Sequence, residues 1–137
     1  MAQEVKQTAK EERKLIRIPV ESSIGKVGIT EEVLAVMAGI AAMEIEGVAS
    51  VNRTATRQLI AKLGMKSLAD GVRVSENNGA VSVRINLNLD YGVSVGDVSG
   101  KVQEKVKASI ENMTGLAVET VDVSIAGVEL PAGKSKS

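Results

Sequence analysis

The chain contains no cysteine, no histidine, no tryptophan and no phenylalanine, and Tyr91 is its only aromatic residue. Each absence removes a class of function. Without cysteine there is no disulfide framework and no sign of an oxidising compartment. Without cysteine or histidine a structural zinc site lacks its usual ligands. Cysteine nucleophiles and Ser-His or Cys-His pairs fall with them, as does the commonest general acid and base. Carboxylates and lysines are the remaining candidates for catalysis. The expectation is a protein that is not an enzyme and that holds no metal or cofactor.

Excess charge of either sign is also missing. Lysine plus arginine and aspartate plus glutamate both number 17, whereas a dedicated nucleic-acid binder normally shows a basic surplus. No stretch approaches the roughly 18 apolar residues of a membrane-spanning helix. Met1 to Lys14 is polar and charged and lacks the apolar centre of a signal peptide. These features predict a soluble, cytoplasmic protein whose link to a membrane, if it has one, runs through another protein.

What is present is enough for one domain. The 137 residues are 44% apolar, so a core can form without aromatics, built of Val, Ile, Leu, Ala and Met. Branched residues favour strands. Residues 1–22 read as a flexible charged tail, although Leu15-Ile16-Arg17-Ile18 before Pro19 could dock as a strand. Residues 131–137 read as a disordered tail, which leaves 23–130 as the folded domain.

Within it, Ser23 to Ile29 reads as a short strand. Thr30 is a helix N-cap followed by Glu31 and Glu32, where acids suit the helix dipole. Val33, Val36, Met37, Ile40 and Ile45 recur at helical spacing, and Ala38, Gly39, Ala41 and Ala42 permit close packing. Gly47 fits the residue after a helix end, with a short strand following to Val51. Leu59, Ile60, Leu63 and Leu68 suggest a short helix within 52–70, interrupted by Gly64.

The plainest signal comes next. Val72 and Val74 alternate with Arg73 and Ser75, and Asn77-Asn78-Gly79 is hairpin-turn chemistry. Val81, Val83, Ile85, Leu87, Leu89 and Tyr91 then hold a strict period of two, with Ser82, Arg84, Asn86, Asn88 and Asp90 between them. That pattern is a strand with one buried face and one wet or partner-facing side. Ser94 opens a capping box with Asp97. Val95, Val98, Val102, Val106, Ile110 and Met113 form one apolar helical stripe, ended by Gly115. Val118, Val121, Val123 and Ile125 begin a last strand, and the shift to Val128 and Leu130 predicts a bulge near Gly127. The order is β-α-β, a variable segment, then β-β-α-β. It predicts an α/β chain of the α+β type: a single two-layer domain, with a mostly antiparallel sheet and its helices packed on one face.

Few motifs suggest chemistry. Gly96 to Lys101 lies between a strand and a helix, as a phosphate loop does. A Walker A loop needs four residues between its glycines and Ser or Thr after the lysine; here three intervene and Val102 follows. The alternative is that Gly92, Gly96 and Gly100 admit a neighbouring element. Arg53, Arg57, Lys62 and Lys66 form a basic stretch with no aromatic for base stacking, which favours a solvated or protein-contacting face. The carboxylate pairs sit at helix ends or in tails, where dipole complementarity and solubility explain them.

The second half resembles a known family. Asp90-Tyr91-Gly92-Val93, the run Val102 to Lys107, and Met113-Thr114-Gly115-Leu116 through Gly127-Val128 are similar to the alkaline shock protein family of envelope stress response proteins. Gly25 to Thr30 before a helix and Gly47 to Val51 extend the likeness over 24–130. The resemblance implies a small cytoplasmic protein, typical of Gram-positive bacteria and tied to cell-envelope homeostasis. Members of that family self-assemble or are held beneath the membrane by a separate anchored partner, and no catalytic residues come with it. It also implies an alternative, a regulatory module for an enzyme of fatty-acid synthesis. The candidate interaction face is Arg84, Asn86, Asn88 and Asp90, with Arg53 and Arg57. The expected partners are a second copy and a membrane-anchored protein, with no nucleic acid and no small-molecule substrate.

Overall fold

The computed structural model describes residues 15–20, 23–51 and 69–130. Strand β1 (Leu15–Ile18) pairs antiparallel with β2 (Val27–Thr30) in a two-stranded ribbon. Helix α1 spans Glu31–Met43 and β3 spans Val48–Val51. Strands β4 (Val72–Asn77) and β5 (Ala80–Asp90) form a hairpin, followed by α2 (Val95–Thr114) and β6 (Ala117–Glu129).

The hairpin turn is Asn78-Gly79, both with positive φ (54° and 84°). Two such residues make a turn whose twist matches that of the flanking strands, which is why Asn-Gly fixes the register from Asn77↔Ala80 to Val72↔Ile85. Strand β5 is the spine of the sheet. Along one side it pairs antiparallel with β4 at its start and with β3 at its end; along the other it pairs with β6. The β5–β6 pairing is parallel, because the 20-residue α2 carries the chain back to the beginning of β5 before β6 starts. The sheet is otherwise antiparallel. The bulge expected near Gly127 is present, with Ala126 bypassed between Leu87↔Ile125 and Asn88↔Gly127, and a second bulge bypasses Glu119.

Both helices pack on one face of this sheet. Val81, Val83, Ile85, Leu87 and Leu89 of β5 are buried there with Val98, Val102, Val106 and Ile110 of α2 and Leu34, Ala38, Ala41 and Ala42 of α1. Ile16 of β1 joins the same core at 5% exposure, so the Leu15–Ile18 run does dock. Both N-caps hold: Thr30 Oγ1 accepts from Val33 N (3.1 Å) and Ser94 Oγ from Asp97 N (3.4 Å). Gly115 ends α2 in the left-handed conformation (φ 79°), the usual place for a residue without a Cβ.

Five expectations are corrected. The buried side of α1 is Leu34, Ala35, Ala38, Ala41 and Ala42, while Val33 is exposed and Val36, Met37 and Ile40 are half-buried; the alanines admit close approach, so they take the inner side. Gly47 is not the residue after that helix. The cap is Glu44, and Gly47 lies further on, against Val98. Tyr91 does not continue the buried row, because β5 ends at Asp90 and the ring lies in the following turn at 69% exposure. Val95 and Met113, the two ends of the expected α2 stripe, are likewise exposed, and Thr114 takes the inner position, its hydroxyl donating to the Ile110 carbonyl (2.6 Å). Gly92, Gly96 and Gly100 admit no neighbour, since a Cβ at any of them would meet nothing within 4 Å. The short helix suggested within 52–70 lies almost wholly outside the described residues; Ala69 and Asp70 form a single turn before β4.

Candidate interaction face

Alternation along a strand sends every second side chain to the opposite face. Since α1 and α2 cover the apolar face, the other one presents the polar residues of β4, β5 and β6. The register arranges them in rows. Arg73, Arg84 and Asp122 lie side by side across three strands, then Ser75, Ser82 and Thr120, and further along Asn86 beside Ser124. Arg73, Arg84, Asn86, Asp122 and Ser124 are all exposed. An open cleft of about 260 Å³ follows the first two rows, lined by Arg73, Ser75, Ser82, Arg84 and Asp122 among others.

Among the described residues the charges in the first row form no ion pair, although Arg84 and Asp122 are register neighbours. Arg73 and Arg84 sit directly opposite each other, an arrangement that disfavours the pair. Among the described residues, neither guanidinium nor Asp122 makes an ion pair or hydrogen bond; the ion pairs there are Lys105–Glu44 (3.3 Å) and Lys107–Glu111 (3.6 Å).

At the far end the face changes character. Asn88 Nδ2 donates to Ser50 Oγ (2.9 Å), and the Ser50 hydroxyl donates to Glu129 Oε2 (3.0 Å). This chain of bonds ties β3, β5 and β6 together. Ser50 is fully buried and Asn88 nearly so. Gly127 makes room for them, since a Cβ there would stand 2.8 Å from Asn88 Oδ1. The sequence placed Arg84, Asn86, Asn88 and Asp90 together. The structure keeps Arg84 and Asn86 exposed, turns Asn88 into an internal tie, and leaves Asp90 half-buried at the strand end, its N–H donating to the Gly47 carbonyl (2.8 Å). Arg53 and Arg57 lie outside the described residues. Arg73 and Asp122 were missed. Arg73 was legible as the polar partner of Val72 and Val74; Asp122 needed the parallel register.

The free edge of β6 is blunted by α2. Gln103 Nε2 donates to the Val121 carbonyl (2.9 Å), Lys107 Nζ to the Val118 carbonyl (3.2 Å), and Val118 N donates to Glu111 Oε2 (3.0 Å). These side chains occupy backbone groups that an added strand would need.

A second, wider cleft, about 670 Å³, lies between β1, the start of α1 and β4. Glu31, Glu32 and Asp70 line it with Arg73 and several apolar residues. Among the described residues no group of His, Cys, Asp or Glu is placed to hold a metal ion, and no helix is long and apolar enough to cross a membrane.

Residues 19–130 match the model of the alkaline shock protein 23 family, described as having a cell envelope-related function. The chain belongs to that family. Its relatives include Bacillus subtilis YqhY, 30% identical over 109 residues (80% of this chain, 81% of YqhY), and Bacillus subtilis YloU, 30% identical over 116 residues (82% and 96%). Both carry the description uncharacterized. Among solved structures, a MamM CTD superposes with a TM-score of 0.45 at 17% identity, over 72% of this chain and 95% of that one. That match is too loose to carry a functional reading.

Proposed function

We propose that this chain is a non-enzymatic protein of cell-envelope homeostasis that works by assembling with itself and with a membrane-anchored partner on the cytoplasmic side of the membrane. The family supplies the envelope. The observation that carries the rest is the two-sidedness of the sheet: one face is roofed by both helices, while Arg73, Arg84, Asn86, Asp122 and Ser124 stand exposed on the other. A polar outer face is common in antiparallel sheets; what makes this one a candidate contact is the row of Arg73, Arg84 and Asp122, for which the described residues supply no ion pair. A catalytic reading has little to build on, since the chain offers neither imidazole nor thiol.

Size-exclusion chromatography with light scattering tests the assembly, and a pull-down from envelope extracts tests the partner. A dimer or larger species, together with a membrane-anchored protein recovered with the bait, is the expected result. A strict monomer across a wide concentration range, with no envelope protein recovered, would remove the proposal. Recovery of a carboxylase of lipid synthesis instead would support the regulatory-module alternative.

A further inference from the structure

Resting on that assembly reading, the geometry points to one contact between copies. We propose that two chains lie face to face through the open side of the sheet, about a twofold axis that runs parallel to β5 and β6 and passes above the line between them.

The β6 edge is a poor alternative. Its start is capped by Gln103, Lys107 and Glu111, and both bulges, at Glu119 and Ala126, break the straight edge that pairing needs. Among the described residues the open face has no such guard, and apart from the half-buried Asp90 at the end of β5 its charges are sorted by strand. On β4 and β5 the exposed charges of this face are Arg73 and Arg84, while β6 carries Glu119, Asp122 and Glu129 and no base.

That sorting is self-complementary under the proposed axis. A twofold axis between β5 and β6 places the β5 of one protomer over the β6 of its partner, and the reverse. Neighbours in the register then become partners across the interface. Arg84 lies over the partner's Asp122, Asn86 over the partner's Ser124, and Ser82 over the partner's Thr120, each contact occurring twice. A cation meets an anion, and an amide or hydroxyl meets a hydroxyl; the exception is the strand end, where Asp90 comes over the partner's Glu129, acid against acid, with Asp90 half-buried and Glu129 Oε2 accepting from Ser50 Oγ. Aligned sheets pack about 10 Å apart, a gap that an arginine can reach across. Arg73 adds a second positive charge beside Arg84, so the unfavourable Arg73–Arg84 juxtaposition within one chain is relieved by the partner's acidic strand. Gly127 keeps the far end low and Asn88 and Ser50 are buried there, which leaves the exposed Glu129 at the edge of the contact.

The test uses the full chain and sedimentation velocity. Arg84→Glu and Asp122→Arg each place like charges across both contacts, and each is expected to weaken association about tenfold or more. Both residues are exposed and unpaired among the described residues, so circular dichroism should show an unchanged fold. The decisive measurement is a mixture of the two variants. At one contact the introduced glutamate then faces the introduced arginine, and the second contact keeps its native Arg84 and Asp122. Mixed dimers should therefore form where neither variant associates alone. The doubly exchanged Arg84→Glu/Asp122→Arg chain should likewise regain self-association. If wild type associates but the single variants associate equally well, or the mixture stays monomeric, this contact is wrong and the assembly reading stands. A monomeric wild type takes down both.

Discussion

The two faces of the sheet are made by alternate residues of the same strand, yet they follow different rules. On the helix side, Val81, Val83, Ile85, Leu87 and Leu89 are buried in an unbroken row, and stability depends on shape and volume. On the open side, Ser82, Arg84 and Asn86 are half-buried or exposed, and the arrangement depends on charge. The comparison shows how one strand can hold the fold and offer a surface without either task constraining the other. Only near Asn88 do the two sides share a requirement, because there the open face sinks into a buried network.

The largest effect that would sharpen this contrast is on the covered side. Leu87→Ala removes a fully buried side chain at the centre of the core and should cost about 2–5 kcal/mol, read as a lower urea midpoint with an unchanged slope. A loss under about 1 kcal/mol would mean that the helices do not pack on this row as described. Next comes the place where the faces converge. Gly127→Ala would drive a methyl group into Asn88 Oδ1 and should destabilise by about 1–3 kcal/mol, the usual cost of overpacking. An unchanged unfolding midpoint would show that the Ser50–Asn88–Glu129 tie yields freely. Gly100→Ala lies on α2, where a Cβ meets nothing. It should stabilise the chain by about 0.5–1 kcal/mol, and a destabilised variant would reveal a contact at that helix surface.

The degree to which each feature was legible in the sequence follows the same division. The alternation from Val81 to Leu89 announces both faces, and the Asn78-Gly79 turn sets the hairpin register. Helix α1 misleads because it is apolar on every side. Periodicity then cannot choose a face, and valine looks more core-like than alanine although alanine is what permits close approach. Tyr91 misleads because the apolar alternation runs one step past the end of β5 into a turn, where its N–H still donates to the Glu129 carbonyl (2.8 Å) but its ring stands in solvent. The capping of β6 was illegible: Gln103, Lys107 and Glu111 at every fourth position look like any solvated helix stripe until β6 is seen beside them. Asn88 and Asn86 are identical in pattern, and only Gly127 and Ser50 decide that one is buried and the other free. The Arg84–Asp122 neighbourhood depends on β6 running parallel to β5, which follows from the intervening helix and not from the alternation of either strand.

The smallest expected effect sits on the open face and has the opposite sign from most substitutions. Arg73 and Arg84 are direct cross-strand neighbours, and neither forms an ion pair with any described acid. Like charges so placed cost about 0.2–1 kcal/mol, and exposed side chains contribute little else. Arg73→Ala, measured in dilute solution where association is minimal, should therefore leave stability unchanged or raise it by a few tenths of a kcal/mol. The gain should fade in about 1 M salt, where the screening length falls to roughly 3 Å. Under the same conditions Leu87→Ala should keep its full cost, because a core vacancy is not a matter of charge. If Arg73→Ala instead destabilises the dilute chain in a salt-independent way, its stem packs against the sheet, and the separation between a face that holds the fold and a face that is free to bind breaks down at β4.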